Sequence, residues 1–205
     1  MPSFLPKKHP ADDEIVLTSG KAYSNVFHAN GGSAAFSVMA NTLRGVYGTD
    51  VLLATANSFT GSVLQADYNQ KMAASMIMPN GLMSRQRTMT GAELKETVHA
   101  FVEGCEGGFV PFNRGSLPVV SGIAVEVKEN NGSYTLTGIT RNGQPLGDND
   151  TVTVTCLATE KQMEALLASD SGTSAGEDTW VKNTWRDYIS GGAALAEPEN
   201  YITLR

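Results

Sequence analysis

Apolar residues recur along this chain in two rhythms, and the changes between them mark the elements. From residue 31, Ala35, Val38, Met39, Leu43 and Val46 return at three- and four-residue spacing, with Thr42 on the same side. That spacing predicts an amphipathic helix, and Gly48 is placed to stop it. Asp50-Val-Leu-Leu-Ala-Thr-Ala56 follows as a short, nearly continuous apolar run. Such a run suits a strand covered on both faces. Ile15-Val16-Leu17 predicts an earlier short strand. A Gly/Ser/Thr stretch from Ser58 to Ser62 leads to a second helical segment, residues 68–77. Its apolar face is Met72, Ala73 and Met76, and Pro79-Asn80-Gly81 ends it. Residues 82–88 predict a strand of mixed polarity.

The strongest local signal is Thr90-Gly-Ala-Glu93. It is a capping box, in which the hydroxyl satisfies a helical N–H and the glutamate reaches back to the cap. Leu94, Val98, Phe101 and Val102 continue it as an amphipathic helix that Gly104 closes. Residues 117–127 read as one strand alternating around Val119, Ile123, Val125 and Val127. Asn130-Asn131-Gly132-Ser133 predicts a hairpin turn, residues 134–139 the returning strand, and Arg141-Asn142-Gly143-Gln144 a second turn. A strand over residues 151–157 alternates Val152 and Val154. Helices are expected over residues 159–168 and 179–190, the latter with Trp180, Trp185 and Ile189 on one side. No internal repeat is present. The order predicts an α+β fold, a single domain over residues 15–205 with a mixed β-sheet flanked by helices. Residues 1–14, holding three prolines, read as an extended N-terminal arm.

Composition narrows the function classes. The chain has 205 residues, 41% hydrophobic and 18% charged, with 21 glycines, which describes a folded chain rich in turns. Its net charge is −6 and no Lys/Arg run exceeds Lys7-Lys8, which argues against nucleic acid as a partner. A small phosphate-bearing ligand needs only one or two placed cations and stays compatible. No run approaches the roughly 20 apolar residues of a membrane span. The start of the sequence also lacks the apolar core of a signal peptide. Cys105 and Cys156 are either two buried free thiols or a single disulfide.

Several strings carry candidate chemistry. Gly172-Thr-Ser174-Ala-Gly176 matches a nucleophile-elbow pattern. That elbow needs a strand before it, a helix after it and a later histidine. His9, His28 and His99 all come earlier, so a Gly/Ser loop is the expected reading. The histidines stand apart from one another and from clustered carboxylates, so neither a catalytic constellation nor a metal site is expected. Five methionines from Met72 to Met89 read as core filling. Phe109-Val-Pro-Phe112-Asn-Arg114-Gly joins a helix to a strand. Its aromatics and arginine suit a planar or anionic ligand, or else Phe112 packs the loop down and Arg114 is a surface residue.

The stretch from about Asp50 to Thr155 resembles the C-terminal, substrate-specificity domain of the 5′-nucleotidase family. That domain is paired in the family with a metallophosphatase domain. The likeness rests on Asp50-Val-Leu-Leu, on Met89-Thr-Gly-Ala-Glu-Leu94, and on Pro79 twelve positions before Gly91. Val119-Val-Ser-Gly122-Ile and Asn142-Gly-Gln-Pro-Leu146, followed by Asp150-Thr-Val-Thr-Val154, complete it. The helix from Gly31 and the closing segment with Tyr201-Ile202 extend it less specifically. The departures concern function. Family members clamp a nucleobase between two phenylalanines, a stacking role. The first position is Asn80 here, and the second falls in Cys156-Leu-Ala-Thr-Glu160, with no Gly-Gly-Asp-Gly after it. The loop that ends in a substrate-binding arginine in the family reads Ala56-Asn-Ser-Phe-Thr-Gly61.

The resemblance implies a ligand-recognition or interaction module lacking the metallophosphatase domain and the aromatic nucleoside clamp. It implies no cofactor in this chain, because the family's divalent metal ions sit in the other domain. It also implies an upstream metallophosphatase partner and an extracytoplasmic setting. Candidate ligand contacts are Asn57, Ser58, Asn80 and Arg114 as polar groups, with Phe59 and Phe112 as stacking rings. Two other readings remain: the C-terminal half of a nucleotide hydrolase that acts in nucleotide catabolism, and a structural envelope domain without a small ligand.

Overall fold

The first long helix begins where Ser33 accepts the Phe36 N–H on its hydroxyl, and it ends where Gly48 turns left-handed at φ 66°. Both signals are local; the Gly48 stop is the one expected from the sequence, while the Ser33 cap sets the start of the helix two residues after Gly31. The computed structural model describes residues 13–28, 32–78, 80–106, 118–131, 133–167, 172–199 and 201–205. Most of the N-terminal arm, Phe112 and Arg114 therefore lie outside the described residues.

The chain runs β1 (Ile15–Ser19), β2 (Phe27–His28), β3 (Gly32–Ser33), α1 (Ala34–Tyr47), β4 (Val51–Thr55), β5 (Ala66–Asn69) and α2 (Gln70–Ala74). It continues with β6 (Leu82–Thr90), α3 (Gly91–Glu106), β7 (Pro118–Ser121), β8 (Ala124–Asn130), β9 (Ser133–Arg141) and β10 (Gln144–Pro145). The last part is β11 (Thr151–Thr159), α4 (Glu160–Leu166), β12 (Thr173–Ser174), β13 (Thr179–Trp180), α5 (Val181–Ser190) and β14 (Ile202–Leu204). The central sheet has the order β12-β6-β11-β4-β7, with β13 also on the free edge of β6. Only β11 and β4 are parallel in it, so the sheet is mixed. A second sheet, β10-β9-β8-β14, stands beside it, and β1 pairs with β5.

Every residue of β4 is buried, as is the run from Val154 to Ala158 in β11. These two strands hold the middle of the sheet, where both faces are covered. The alternation expected in β11 therefore gives way after Thr153. Leu43 of α1, Leu52 and Leu53 of β4, Leu94 of α3 and Trp185 of α5 are fully buried in one continuous core. The fold is α+β with mixed sheets flanked by helices.

Four expectations need correction. The helical segment at 68–77 is a strand followed by a single turn and a half of helix. Tyr68 pairs with Leu17, and the Asn69 side chain caps α2 by accepting the Met72 N–H at 2.9 Å. Met72 is consequently 45% exposed, leaving Ala73 and Met76 to face the core. The strand at 117–127 breaks in two at Gly122, and its halves join different sheets. The third helix does not stop at Gly104 but continues to Glu106. Trp180 belongs to β13 rather than to α5 and is 49% exposed, because an edge strand has no layer over that side.

The capping box forms as expected. The Glu93 N–H reaches Thr90 Oγ1 at 3.3 Å, and the Thr90 N–H reaches Glu93 Oε2 at 2.7 Å. The other Glu93 oxygen accepts the Gly172 N–H at 3.1 Å, so one carboxylate ties the start of α3 to the loop before β12. These bonds, the Thr90 backbone N–H first, hold the Glu93 carboxyl below its ordinary pKa. Thr90→Ala should lower stability by about 1 kcal/mol without altering any binding. A shift in the urea midpoint at unchanged slope checks this, and an unchanged midpoint would show that the cap is redundant.

Candidate ligand site

One end of the central sheet gathers those loops marked by the sequence for ligand contact that lie within the described residues. β4 leaves the sheet at Thr55, which pairs with Pro118 at the start of β7. β11 leaves at Thr159, which pairs with Leu82 at the start of β6. After Thr55, residues Ala56–Ser58 make one 3₁₀ turn. The chain then zips onto the segment that follows α2: Thr60 N–H donates to the Met76 carbonyl at 3.0 Å, and Met78 N–H to the Ser58 carbonyl at 3.0 Å. Thr60 Oγ1 adds a bond to the Ser75 carbonyl at 2.6 Å. These bonds place residues 57–60 directly against 75–78, the approach to Asn80.

The predicted contacts take different positions within that arrangement. Asn57 and Asn80 are exposed. Asn80 Oδ1 accepts a hydrogen bond from Lys182 Nζ of α5. Ser58 is fully buried, and its hydroxyl has no partner among the described residues. Phe59 is 5% exposed and packs on Phe36 of α1, with ring centroids 6.0 Å apart. A ring that fills core volume has no open face to offer a base, so Phe59 as placed is a structural residue and not a stacking platform. Lys182 carries no sequence signal for this role, because a lysine on the polar side of an amphipathic helix reads as solvated surface.

The opposite end of the sheet carries most of the motifs that underlie the family resemblance. Asp50 Oδ2 accepts the Thr153 N–H and hydroxyl, each at 2.9 Å, while Oδ1 accepts Arg141 Nη2 at 2.5 Å. Burial pushes the Asp50 carboxyl up, but the Thr153 bonds together with Arg141 and Arg44 outweigh it and hold the group below its ordinary value. Arg44 Nε donates to Ser121 Oγ at 2.7 Å, and its Nη2 lies 3.7 Å from Glu199. A concavity of about 490 Å³ opens here, lined by these two arginines, Asp50 and Glu199. Its two positive and two negative side chains are already matched within the fold.

The glycines of those motifs serve close backbone approaches. A Cβ on Gly122 would lie 2.0 Å from the Asp50 carbonyl oxygen, and one on Gly91 would lie 1.9 Å from that of Gly147. Asn142 and Gly143 both have positive φ, 52° and 76°, as a tight two-residue turn between β9 and β10 requires. The residues that carry the resemblance therefore build the scaffold.

The remaining chemical candidates give no catalytic geometry. Ser174 sits in exposed β12, and its hydroxyl donates to the Gly176 carbonyl at 3.0 Å; a loop and β13 follow it, not a helix. Cys156 is a free thiol in the middle of β11, and burial pushes it up to about 12, far from a reactive thiolate. Among the described residues no group of three or more His, Cys, Asp or Glu could hold a metal ion. No helix among them is long and apolar enough to cross a membrane.

No protein-family model matches the sequence, and no curated protein matches it. Solved structures match it through the fold. The chain is similar to a 5′-nucleotidase precursor from Thermus thermophilus, at 12% identity and a TM-score of 0.65, over 95% of this chain and 40% of that one. It is similar to the sulfate thiohydrolase SoxB of the same organism, at 12% identity and a TM-score of 0.65, over 95% of this chain and 35% of that one. It is also similar to the NAD nucleotidase of Haemophilus influenzae, at 16% identity and a TM-score of 0.66, over 95% of this chain and 39% of that one. The chain thus spans about two-fifths or less of the length of these proteins. What they share with it is architecture, and this chain has the α+β fold of the 5′-nucleotidase C-terminal domain.

Proposed function

We propose that this chain is a recognition domain that binds a small ligand for chemistry carried out elsewhere, and that it is not itself a hydrolase. The observation that carries the proposal is the match itself: nearly the whole chain corresponds to about two-fifths of a 5′-nucleotidase precursor. The resemblance supplies the second half of the reading, a metallophosphatase domain as partner, with the divalent metal ions held there. It also supplies an extracytoplasmic setting. At the candidate site, exposed Asn57 and Asn80 offer neutral polar contacts, and Asn80 stands where the resemblance puts a ring of the nucleoside clamp. Hydrolysis of a phosphate ester needs an activated water or a Lewis acid at the phosphorus. The histidines that would hold such a centre stand singly in this sequence.

The purified chain should release no phosphate from AMP or from a generic phosphate monoester with Mn²⁺, Co²⁺ or Zn²⁺ present. Phosphate release that co-purifies with the chain through two different columns would overturn the proposal.

A further inference from the structure

Two helices far apart in sequence meet at a basic cleft. Gln70, Lys71 and Ala74 of α2, Ser75 just after it, and Lys182 and Arg186 of α5 line about 530 Å³. The lining holds three cations and no carboxylate, on a chain whose net charge is −6. Among the described residues, Lys71 and Arg186 make no ion pair. Lys182 reaches only the neutral side-chain oxygen of Asn80, which orients its ammonium without cancelling its charge. Lys182 and Arg186 lie four residues apart on one face of α5, a spacing at which like charges destabilise a helix. A fold that brings Lys71 to the same spot adds to that repulsion, and a bound anion relieves it.

The two helices are tied together behind the cleft. Trp185 points away from it into the core, fully buried, and its Nε1 donates to the Ala73 carbonyl at 2.7 Å. That bond ties α5 to α2, so the backbones that carry the three cations are already juxtaposed before any ligand arrives.

We propose that the α2–α5 cleft is an anion site for a phosphate group. Arg186 supplies the planar, two-pronged donor, Lys71 and Lys182 supply point charges, and Gln70 supplies a neutral donor. The site adds a charged contact beside Asn80, and it stands whether or not a nucleoside binds at the sheet end. A soluble diphosphate or a lipid headgroup presents the same chemistry.

Titration of the full chain with inorganic pyrophosphate tests the proposal. Saturable binding is expected. It should weaken about tenfold in Lys182→Gln/Arg186→Gln and, independently, in Lys71→Gln, because each removes positive charge from the anion contact. Lys128→Gln, at an exposed position of β8 in the other sheet, should leave it unchanged. If the α5 double variant fails to fold, Lys71→Gln decides alone. Vesicles containing phosphatidic acid, run against phosphatidylcholine, separate the sources: retention on the former with no pyrophosphate binding assigns the site to a lipid headgroup. Absence of binding to both pyrophosphate and phosphatidic acid vesicles at up to about 10 mM phosphate, or equal binding by wild type and every variant, would overturn the proposal.

Discussion

Gly122→Ala should destabilise the protein by about 3–5 kcal/mol, the range reached only when a substitution breaks a defined backbone feature. Gly122 sits at φ 84°, a region that costs a residue with a Cβ on the order of 1–3 kcal/mol. The new methyl carbon would lie 2.0 Å from the Asp50 carbonyl oxygen and 3.2 Å from the Arg44 side chain. The first neighbour is backbone at the start of β4, so it cannot swing away; either β7 or β4 must move. Movement there also strains the Asp50 carboxylate, which ties β4 to Thr153 of β11 and to Arg141 of β9. Gly138→Ala is the matched control, since its Cβ would come no closer than 3.8 Å to the Glu126 side chain. That variant should stay within about 1 kcal/mol of wild type, as open surface substitutions do. Equal urea midpoints for the two variants would show that β4 and β7 accommodate the methyl group.

Trp185→Ala should cost about 3–5 kcal/mol, the usual penalty for emptying a large aromatic site in a core. Trp185 is fully buried, and its loss leaves both a cavity and the Ala73 carbonyl without the indole donor. Trp185→Phe separates the two contributions. It keeps most of the apolar contact, including the face toward Tyr188 at 5.8 Å, and removes only the hydrogen bond. An unpaired buried carbonyl costs about 1–3 kcal/mol, so the phenylalanine variant should fall between wild type and alanine. Since small domains hold only about 5–15 kcal/mol in total, the alanine variant will sit near the edge of folding at 37 °C. Circular dichroism during urea titration reads both. A phenylalanine variant as unstable as alanine would mean that the bond to Ala73, and not the packing, holds α5.

The fold was legible wherever its cause is local. Gly48 ends α1, Thr90 and Glu93 start α3, and Asn142-Gly143 turns between β9 and β10. Each is a short-range hydrogen bond or a φ preference that the residue itself imposes. The misreadings have long-range causes. Apolar residues recur on both sides of Ser121-Gly122, at Val119 and at Ile123, Val125 and Val127, so the segment reads as one strand although the chain leaves one sheet for another there. The reason is the approach of Asp50, some seventy residues earlier in the sequence. Tyr68 fits a helical pattern until Leu17 pairs with it as a strand. At the candidate site, Asn57 and Asn80 are exposed as the loop composition suggests, whereas Phe59 is taken by Phe36 for the core. An aromatic in a Gly-rich loop carries the same letters in either role. Lys71, Lys182 and Arg186 were invisible as a group because their cluster exists only once α5 docks on α2.

This chain has the fold of the 5′-nucleotidase C-terminal domain, and the proposed reading gives it no aromatic nucleoside clamp. Stacking a base on an aromatic ring contributes about 1–3 kcal/mol per ring. A site that had Asn80 and residues 156–160 where the resemblance puts the two rings would be millimolar rather than micromolar. Calorimetric titration of the chain with adenosine, which presents the base and sugar without phosphate, isolates that effect from the α2–α5 cleft. The account predicts a dissociation constant of about 1 mM or weaker. Saturable binding in the low micromolar range would contradict it, because affinity of that order for an uncharged nucleoside requires stacking rings at the site.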